Sequence, residues 1–229
     1  MLNQDTTLLS QSTLFNELSH EELERVIGVC SRKQIGPRTV VFYQGDPGRE
    51  MYVVLSGRLK VSVTSEDGKE LAFFILQKND IFGELALLDG ERRSATVTSI
   101  ESCELLVLKQ QDFKRLLADN PLMGLKMLSI LAGRLRATTS LYESSVFVEI
   151  PGRLAAKLLE LAEEHGTVTD DGIQIDLKLS QYELGTLINA TRESVNKQLK
   201  TWEGQGLIEL RKGRVFLAQP QVLEALTYE

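Results

Sequence analysis

The spacing of apolar positions changes along this chain, and each change predicts a different kind of structure. Residues 34–108 carry short apolar runs separated by glycines and turn pairs. Many short strands at such spacing are typical of an antiparallel barrel or jelly roll. The predicted strands lie at residues 40–43, 51–55, 59–63, 71–76, 95–99 and 105–108. In the turns between them we expect positive φ at Gly45, Gly57 and Gly68.

The segment before this region begins with a polar stretch. Residues 1–12 have no periodic apolar pattern, so we expect a frayed terminus. Ser19 and Glu22 then stand three residues apart in front of an apolar stripe. This is the pattern of a capping box, in which each side chain accepts a hydrogen bond from the other residue's backbone. A helix is predicted to begin after Ser19.

Helical spacing returns near Gln110 and is interrupted at Asn120 and Pro121. Because proline suits the first turn of a helix, a long second helix is predicted from Pro121. Along it, one set of positions recurs at alternating spacings of three and four, as in a coiled-coil seam. The set is Leu128, Leu131, Leu135, Thr138, Tyr142 and Ser145. Such a seam packs either on the protein's own barrel or on a second copy. We favour the homodimer because the helix is longer than one barrel face needs.

The long helix is predicted to end in a hinge. Pro151 interrupts the helical pattern, which makes residues 147–151 the candidate hinge. An amphipathic helix at 154–162, a polar loop at 163–172 and a short strand at 173–177 are expected beyond it.

The remaining chain has the order of a winged helix-turn-helix. Ser180 and Glu183 form a second capping box, and Asn189 tolerates the left-handed conformation that a tight turn between helices needs. Thr191 is expected to cap a helix over 192–202 with Val195 and Leu199 facing inward. Two short strands, 207–210 and 215–217, then flank the basic hairpin 211–214.

The distribution of charge matters more than its sum. The net charge of −6 argues against a nucleic-acid partner. Between residues 192 and 214, however, six basic residues face three acidic ones, a net charge of +3. Taken by itself, this cluster of basic residues is explained by a solvated helix face beside a hairpin. Together with the two capped helices, it favours DNA binding.

Other classes of protein are disfavoured by composition. No apolar run has the length of a membrane span, and the N-terminus lacks the features of a signal peptide, so we expect a cytoplasmic protein without a membrane partner. Cys30 and Cys103 are far apart in sequence and we expect both thiols to be buried. With only His20 and His165 besides, no ligand set for a metal or an iron–sulfur cluster is evident. Neither histidine lies in a nucleophile motif, so we expect no enzyme activity.

The stretch 82–97, FGELALLDGERRSATV, carries the candidate chemistry. Gly83 lets the backbone approach a ligand, and residues 84–88 can form a helical turn whose free N–H groups face an anion. Arg93 can grip phosphate oxygens, while Ser94 offers a hydroxyl and Ala95 leaves room. Glu84 suits a neutral donor such as a ribose hydroxyl. The stretch therefore predicts a receptor for a nucleotide with a compact phosphate.

This stretch resembles the phosphate-binding segment of cyclic-nucleotide-binding domains, and residues 14–217 resemble the Crp/Fnr family of transcription regulators, nearest to its cyclic-AMP receptor branch. The matching residues, in order, are Gly83, Glu84, Leu85, Ala86, Arg93, Ser94 and Ala95. The resemblance implies an α+β fold with a cyclic-nucleotide-binding β-roll or jelly roll (1–120), a dimerisation helix (121–146), a hinge (147–151) and a winged helix-turn-helix (152–229). The cysteine cluster of the family's oxygen-sensing branch is missing.

The resemblance also implies roles for residues outside this stretch. Thr138 and Thr139 fall where the branch has a Thr-Ser pair that meets the adenine, and Arg134 falls where an arginine can pair with Glu84. The implied ligand is cyclic AMP, with cyclic GMP, 2-oxoglutarate or no effector as alternatives. Haem and other cofactors are not implied.

For DNA, the resemblance implies base contacts from the N-terminal part of the second helix. Arg192 suits guanine, Glu193 suits cytosine, and Lys197 replaces a common arginine and so loses bidentate geometry. Ser180 and Ser194 are expected phosphate contacts, and Lys212 is a further expected DNA contact. The implied partners are double-stranded DNA with a near-palindromic operator, a second copy of the chain, and RNA polymerase.

Overall fold

The computed structural model describes residues 4–227 of the 229 in the chain, and side chains from Thr6 onward. It separates into two compact units. The first unit holds the described residues up to Ser65 together with Phe73–Arg136. The second unit holds Glu66–Ala72 and the described residues from Ala137 onward.

The first unit is built on two antiparallel sheets of four strands each, although residues 70–72, which begin one of these strands, group with the second unit. One sheet has the order β1-β8-β3-β6 and the other the order β2-β7-β4-β5. The strands are β1 (Ser31–Ile35), β2 (Val40–Phe42), β3 (Glu50–Ser56), β4 (Leu59–Thr64), β5 (Glu70–Leu76), β6 (Ile81–Phe82), β7 (Thr96–Ser99) and β8 (Cys103–Lys109). Their inner faces enclose an apolar cluster that includes Val54, Leu59, Phe82 and Leu105. The predicted antiparallel roll is confirmed.

The helices of this unit cover the outer face of the first sheet. They are α1 (Gln4–Leu9), α2 (His20–Val29), α3 (Leu85–Leu88), α4 (Gln110–Asp119) and α5 (Pro121–Phe147). A second apolar cluster joins α1, α2, α4 and α5 to strands β3 and β8, with Phe15 and Phe113 fully buried. Helix α5 begins at Pro121 as predicted and continues into the second unit.

The second unit contains a four-stranded sheet of order β11-β12-β10-β9 and a set of short helices. Its elements are α6 (Ile150–His165), β9 (Gly166–Thr169), β10 (Gly172–Ile175), α7 (Gln181–Leu187), α8 (Arg192–Gly204), β11 (Ile208–Arg211), β12 (Arg214–Leu217) and α9 (Pro220–Leu226). Val195, Leu199 and Trp202 of α8 are buried, so the predicted inward face of this helix is confirmed.

Local hydrogen bonds explain where several elements begin. Both predicted capping boxes are present: the Ser19 hydroxyl accepts from the Glu22 N–H at 3.3 Å, and Glu183 accepts from the Ser180 N–H at 2.7 Å. Gly45, Gly57 and Gly68 have the expected positive φ. Asn189 has φ of 52°, which confirms the left-handed turn between α7 and α8.

Two sequence predictions of local structure are wrong, and one strand was missed. Residues 4–9 form α1, with Leu9 fully buried, where a frayed terminus was expected; residues 1–3 lie outside the described part. Residues 166–169 form strand β9 against β10 instead of a polar loop. Strand β1 was not predicted, because four of its five residues are exposed and it lacks apolar alternation.

Four residues of the predicted α5 seam are exposed, namely Leu128, Leu135, Thr138 and Tyr142, and two are not. Leu131 is half-buried and packs against the apolar cluster of the first unit, and Ser145 is half-buried with its hydroxyl donating to the Tyr142 carbonyl at 2.7 Å. Exposed side chains of α5 recur at spacings of three, four or seven in an overlapping row, which shares Leu128, Leu135 and Tyr142 with the seam. This exposed row contains Leu125, Leu128, Leu135, Thr139, Tyr142 and Val146, all apolar except Thr139; Leu122 and Phe147 of α5 are also exposed.

The burial of Leu9 predicts that α1 contributes to folding stability. Leu9→Ala should lower the free energy of unfolding by about 2–5 kcal/mol, because it leaves a cavity in the core. Urea denaturation measures this loss. The control is Thr7→Ala, at an exposed position of the same helix, which should change stability by less than about 0.5 kcal/mol. If Leu9→Ala and Thr7→Ala both change the free energy of unfolding by the same small amount, α1 is frayed in solution.

Candidate functional site

A left-handed glycine connects strand β6 to the short helix α3. Gly83 has φ of +79°, and a Cβ placed on it would lie 2.6 Å from Nη1 of Arg93. Both the conformation and the lack of room therefore require glycine here. Glu84 follows as the N-cap of α3, and its carbonyl accepts from the N–H groups of Leu87 and Leu88. The first N–H groups of the turn have no partner within the helix and point toward its N-terminal side.

Arg93 is a buried cation with few partners. It is 6% exposed, and its Nη1 donates to the Gly83 carbonyl at 2.8 Å. Its guanidinium carbon lies 4.1 Å from the centroid of the Phe42 ring, a cation–π distance. Nε of Arg93 is buried without a hydrogen-bond partner among the described residues. Burial lowers the pKa of Arg93, although a guanidinium remains charged at physiological pH.

The main chain around Arg93 is fixed by a neighbouring turn. The Arg93 N–H donates to the Asp46 carbonyl, and the Arg93 carbonyl accepts from the Gly45 N–H, both at 2.9 Å. A Cβ on Gly48 would lie 2.5 Å from Cβ of Ala86 and 2.9 Å from Nε of Arg93. The loop and α3 thus approach Arg93 from two sides. The sequence analysis assigned Gly48 no role, since no local pattern distinguishes it from the other turn glycines.

Aromatic rings support the Arg93 side chain from within the roll. Phe42 lies 5.9 Å from Tyr52 and 5.9 Å from Phe82, and Tyr52 stacks on Phe82 at 4.8 Å. The Tyr52 hydroxyl donates to Glu50 at 3.1 Å. Burial, reinforced by Glu50, raises the pKa of Tyr52 to about 12, so this hydroxyl remains protonated. Sequence analysis missed these rings because they look like ordinary strand residues.

Glu84 is the second buried charge of the site. It is 1% exposed, and its Oε1 accepts from Nη1 of Arg134 at 2.6 Å. Arg134 also donates to the Ile81 carbonyl, and its guanidinium lies 5.4 Å from the Phe74 ring. The pairing expected between Glu84 and Arg134 is therefore present. Oε2 of Glu84 is buried and has no hydrogen-bond partner in the described structure.

A cavity of about 320 Å³ opens beside Arg93. Its lining combines aromatic rings with charged groups of both signs. The lining residues are Phe42, Asp46, Pro47, Arg49, Glu50, Tyr52 and Arg93. The cavity gives a small polar molecule access to the guanidinium.

The structure brings most of the predicted ligand residues together. Gly83, Glu84, Ala86, Arg93 and Arg134 form one cluster in the first unit. Leu85 is 39% exposed and Ser94 is exposed, so neither is enclosed by the protein. Thr138 and Thr139 are exposed residues of α5 that belong to the second unit.

The second unit places its polar groups on one helix and one hairpin. The Thr191 hydroxyl caps α8 by accepting from the Ser194 N–H at 3.2 Å. Arg192, Glu193 and Lys197 are exposed on α8, and Ser180 is the N-cap of α7. Gly185 lets the two helices meet, since a Cβ there would lie 2.6 Å from the Ala190 carbonyl oxygen. This is the packing of a helix-turn-helix.

The predicted basic hairpin is the β11–β12 turn. Lys212 and Gly213 have φ of 51° and 81°, as a two-residue hairpin turn requires. Arg211 lies 3.5 Å from the Phe216 ring centroid and pairs with Glu209, and Arg214 pairs with Asp176 at 3.4 Å. Lys212 is exposed at the tip of the hairpin.

Comparison with known proteins agrees with both units. A family model of the cyclic nucleotide-binding domain matches residues 32–120, and one of the Crp-like helix-turn-helix domain matches residues 152–226. A CRP-like cAMP-activated global transcriptional regulator of Mycobacterium tuberculosis is 32% identical over 183 residues, covering 80% of this chain and 82% of that protein. The cyclic AMP receptor protein of Thermus thermophilus is 30% identical over 217 residues, covering 95% and 97%. The chain belongs to the Crp/Fnr family of transcription regulators.

Solved Crp/Fnr structures share the fold. The c-di-GMP responsive global regulator CLP of Xanthomonas campestris superposes with a TM-score of 0.78 at 26% identity, over 87% of this chain and 99% of that one. The chain is thus a DNA-binding transcription regulator with a cyclic-nucleotide-binding domain. Its relatives are regulators and not enzymes, as the sequence analysis predicted.

Among the described residues, no helix combines the length and the apolar character that a membrane span requires. Within the same range, no group of three or more His, Cys, Asp or Glu side chains could hold a metal ion. Cys103 is buried as predicted, whereas Cys30 is half-buried; burial raises the pKa of the Cys30 thiol to about 12.

The geometry predicts strong coupling between Glu84 and Arg134. Arg134→Met should lower the free energy of unfolding by about 3 kcal/mol, because it leaves a buried carboxylate unpaired. Glu84→Gln with Arg134→Met should cost at least about 1 kcal/mol less than the sum of the single changes. A double-mutant cycle in urea measures this difference. Additive effects would show that the pair does not stabilise the fold.

Proposed function

We propose that this Crp/Fnr regulator is a homodimer that responds to cyclic AMP. The observation that carries the proposal is a pair of unmatched buried atoms, Nε of Arg93 and Oε2 of Glu84, beside the first turn of α3. One is a cationic donor and the other an anionic acceptor. Unpaired buried polar atoms are costly, so a ligand that pairs both would bind favourably.

A cyclic phosphate suits the Arg93 side of the cluster. It is compact and singly charged, and it can accept from a guanidinium and from the N–H groups at the start of α3. Burial strengthens the attraction, because the guanidinium has already lost most of its water. The aromatic rings of Phe42 and Tyr52 hold the cation without competing for its N–H groups.

A neutral hydroxyl suits the Glu84 side. The carboxylate already pairs with Arg134 through Oε1, and Oε2 can accept one further hydrogen bond. A ribose 2′-hydroxyl is such a donor, and in a cyclic nucleotide it is separated from the phosphate by the sugar ring alone. The family resemblance adds Thr138 and Thr139 as contacts to the base.

The exposed row of α5 supports dimerisation. Leu128, Leu135 and Tyr142 are each at least 63% exposed, which is unusual for large apolar side chains along one face of a helix. A second copy of the same helix would cover this row in a two-fold coiled coil. Two helix-turn-helix units could then reach successive major grooves, about 34 Å apart, in a near-palindromic operator.

The proposed regulator is a ligand-dependent switch. If cyclic AMP stabilises the arrangement that binds DNA, operator DNA must tighten cyclic AMP binding by the same factor. The sequence predicted a hinge at residues 147–151. Phe147 ends α5 and residues 150–151 begin α6, so the proposed hinge is reduced to Val148 and Glu149. Since the relatives named above are bacterial, we propose that this regulator acts beside RNA polymerase in the cytoplasm.

The effector proposal predicts that binding depends on Arg93. Arg93→Ala should weaken cyclic AMP binding at least about tenfold, because truncating one member of a desolvated charge pair costs roughly 2–5 kcal/mol. The matched control is Arg92→Ala, since Arg92 is exposed and donates to the Gly45 carbonyl instead. Calorimetric titration of both variants and the wild type measures the difference.

The same titration with cyclic GMP, cyclic di-GMP and 2-oxoglutarate identifies the effector. Cyclic AMP should bind most tightly of the four. Tighter binding of another compound would reassign the effector, and equal loss in Arg92→Ala and Arg93→Ala would remove Arg93 from the site.

The dimer proposal predicts that α5 tolerates no like charges on its exposed row. Leu128→Lys with Leu135→Lys should yield monomers, because each lysine would face its own copy across the two-fold axis. The control, Val29→Lys with Val222→Lys, adds the same charges at exposed apolar positions on other helices and should remain dimeric. Sedimentation velocity distinguishes the species. A dimer that survives the α5 changes would place the interface elsewhere.

A further inference from the structure

Two side-chain amides join the helices of the helix-turn-helix. Nε2 of Gln181, the first residue of α7, donates to Oδ1 of Asn196 on α8 at 3.0 Å. Both side chains are half-buried. Neither residue was assigned a role by the sequence analysis.

Asn196 lies on the polar face of α8. At 100° per residue, positions four apart fall on nearly the same side of a helix, so Asn196 stands in one row between Arg192 and Lys200. The buried residues Val195, Leu199 and Trp202 lie about 60–120° from Asn196 around the helix axis, so Asn196 is at the edge of the polar face. On that face it falls between Arg192 and Glu193, two of the expected base contacts.

The chemistry of Asn196 differs from that of its charged neighbours. A carboxamide presents one acceptor and two donors, and in the major groove this pattern matches N6 and N7 of adenine. Oδ1 of Asn196 keeps a second lone pair after accepting from Gln181, and its Nδ2 remains able to donate. The hydrogen bond thus leaves the adenine-reading atoms usable.

The bond from Gln181 also determines how the amide is presented. It favours one orientation of the Asn196 amide plane and limits its rotation before DNA arrives. Fixing a side chain in advance lowers the entropy cost of binding, which is about 0.5–1.5 kcal/mol for a mobile side chain.

We propose that Asn196 is a base-reading residue that selects an adenine in the operator, and that Gln181 is the positioning residue that orients its amide. The proposal rests on α8 being the helix that enters the major groove. It adds a specificity determinant to the positions expected from Arg192, Glu193 and Lys197. The competing explanation is that the amide pair only fastens α7 to α8.

Operator selection distinguishes the two explanations. The full-length protein is incubated with a pool of randomised DNA duplexes, with and without saturating cyclic AMP, and the enriched sequence is determined. Affinity is then measured at fixed salt for the enriched duplex and for duplexes with each base pair replaced in turn.

In the wild type, replacing the adenine read by Asn196 should weaken binding roughly tenfold. In Asn196→Ala and Asn196→Ser, which both remove the carboxamide, that preference should disappear while preferences at the other base pairs remain. Gln181→Leu, which keeps the bulk but not the donor, should reduce the preference at the same base pair. Gln198→Ala, an amide on another side of α8, should change nothing.

Unchanged base-pair preferences in both Asn196 variants would overturn the assignment, and so would a loss of affinity shared equally by all duplexes. A selective loss in the Asn196 variants without any change in Gln181→Leu would overturn the role of Gln181. If the wild type enriches no sequence with or without cyclic AMP, the DNA-binding function fails and the inference fails with it. Thermal unfolding of each variant verifies that it is folded.

Discussion

The first unit buries two opposite charges, those of Arg93 and Glu84, and the structure around them has to compensate for the water that they lose. Arg93 and Glu84 are both more than nine-tenths buried, and each would be costly without support. Arg93 rests on Phe42 and donates to the Gly83 carbonyl, while Glu84 accepts from Arg134. Each charge keeps one buried atom without a partner among the described residues, and these two atoms are the basis of the proposed ligand site.

Much of this architecture could be predicted from local sequence, because the physical cause is itself local. A hydroxyl three residues before a glutamate predicts a capping box, and asparagine at a tight turn predicts a left-handed residue; Ser19, Ser180 and Asn189 all behave accordingly. The positions of Gly83, Glu84 and Arg93 followed from a motif whose members lie within one short stretch. Arg134 was reached only through the family resemblance, since it lies fifty residues from its partner.

The features that could not be predicted depend on contacts between distant parts of the chain. The importance of Gly48 is visible only when Ala86 and Arg93 approach it, and Leu131 faces inward because the apolar cluster of the first unit lies beneath it. Helix α1 lacks a clear apolar period but buries Leu9 completely. In the second unit, Asn196 gained significance from its bond to Gln181, fifteen residues earlier. In each case the residue can be read from the sequence, but its contact with a distant part of the chain cannot.

The Glu84–Arg134 pair also fastens the middle of helix α5 to the first unit. The helix carries Arg134, which is fastened to Glu84 and Ile81, and it continues without interruption to Phe147. The thirteen residues between these points correspond to about 20 Å of helix at 1.5 Å per residue. Through Arg134, the carboxylate of the proposed ligand site thus also holds the helix that carries the exposed apolar row.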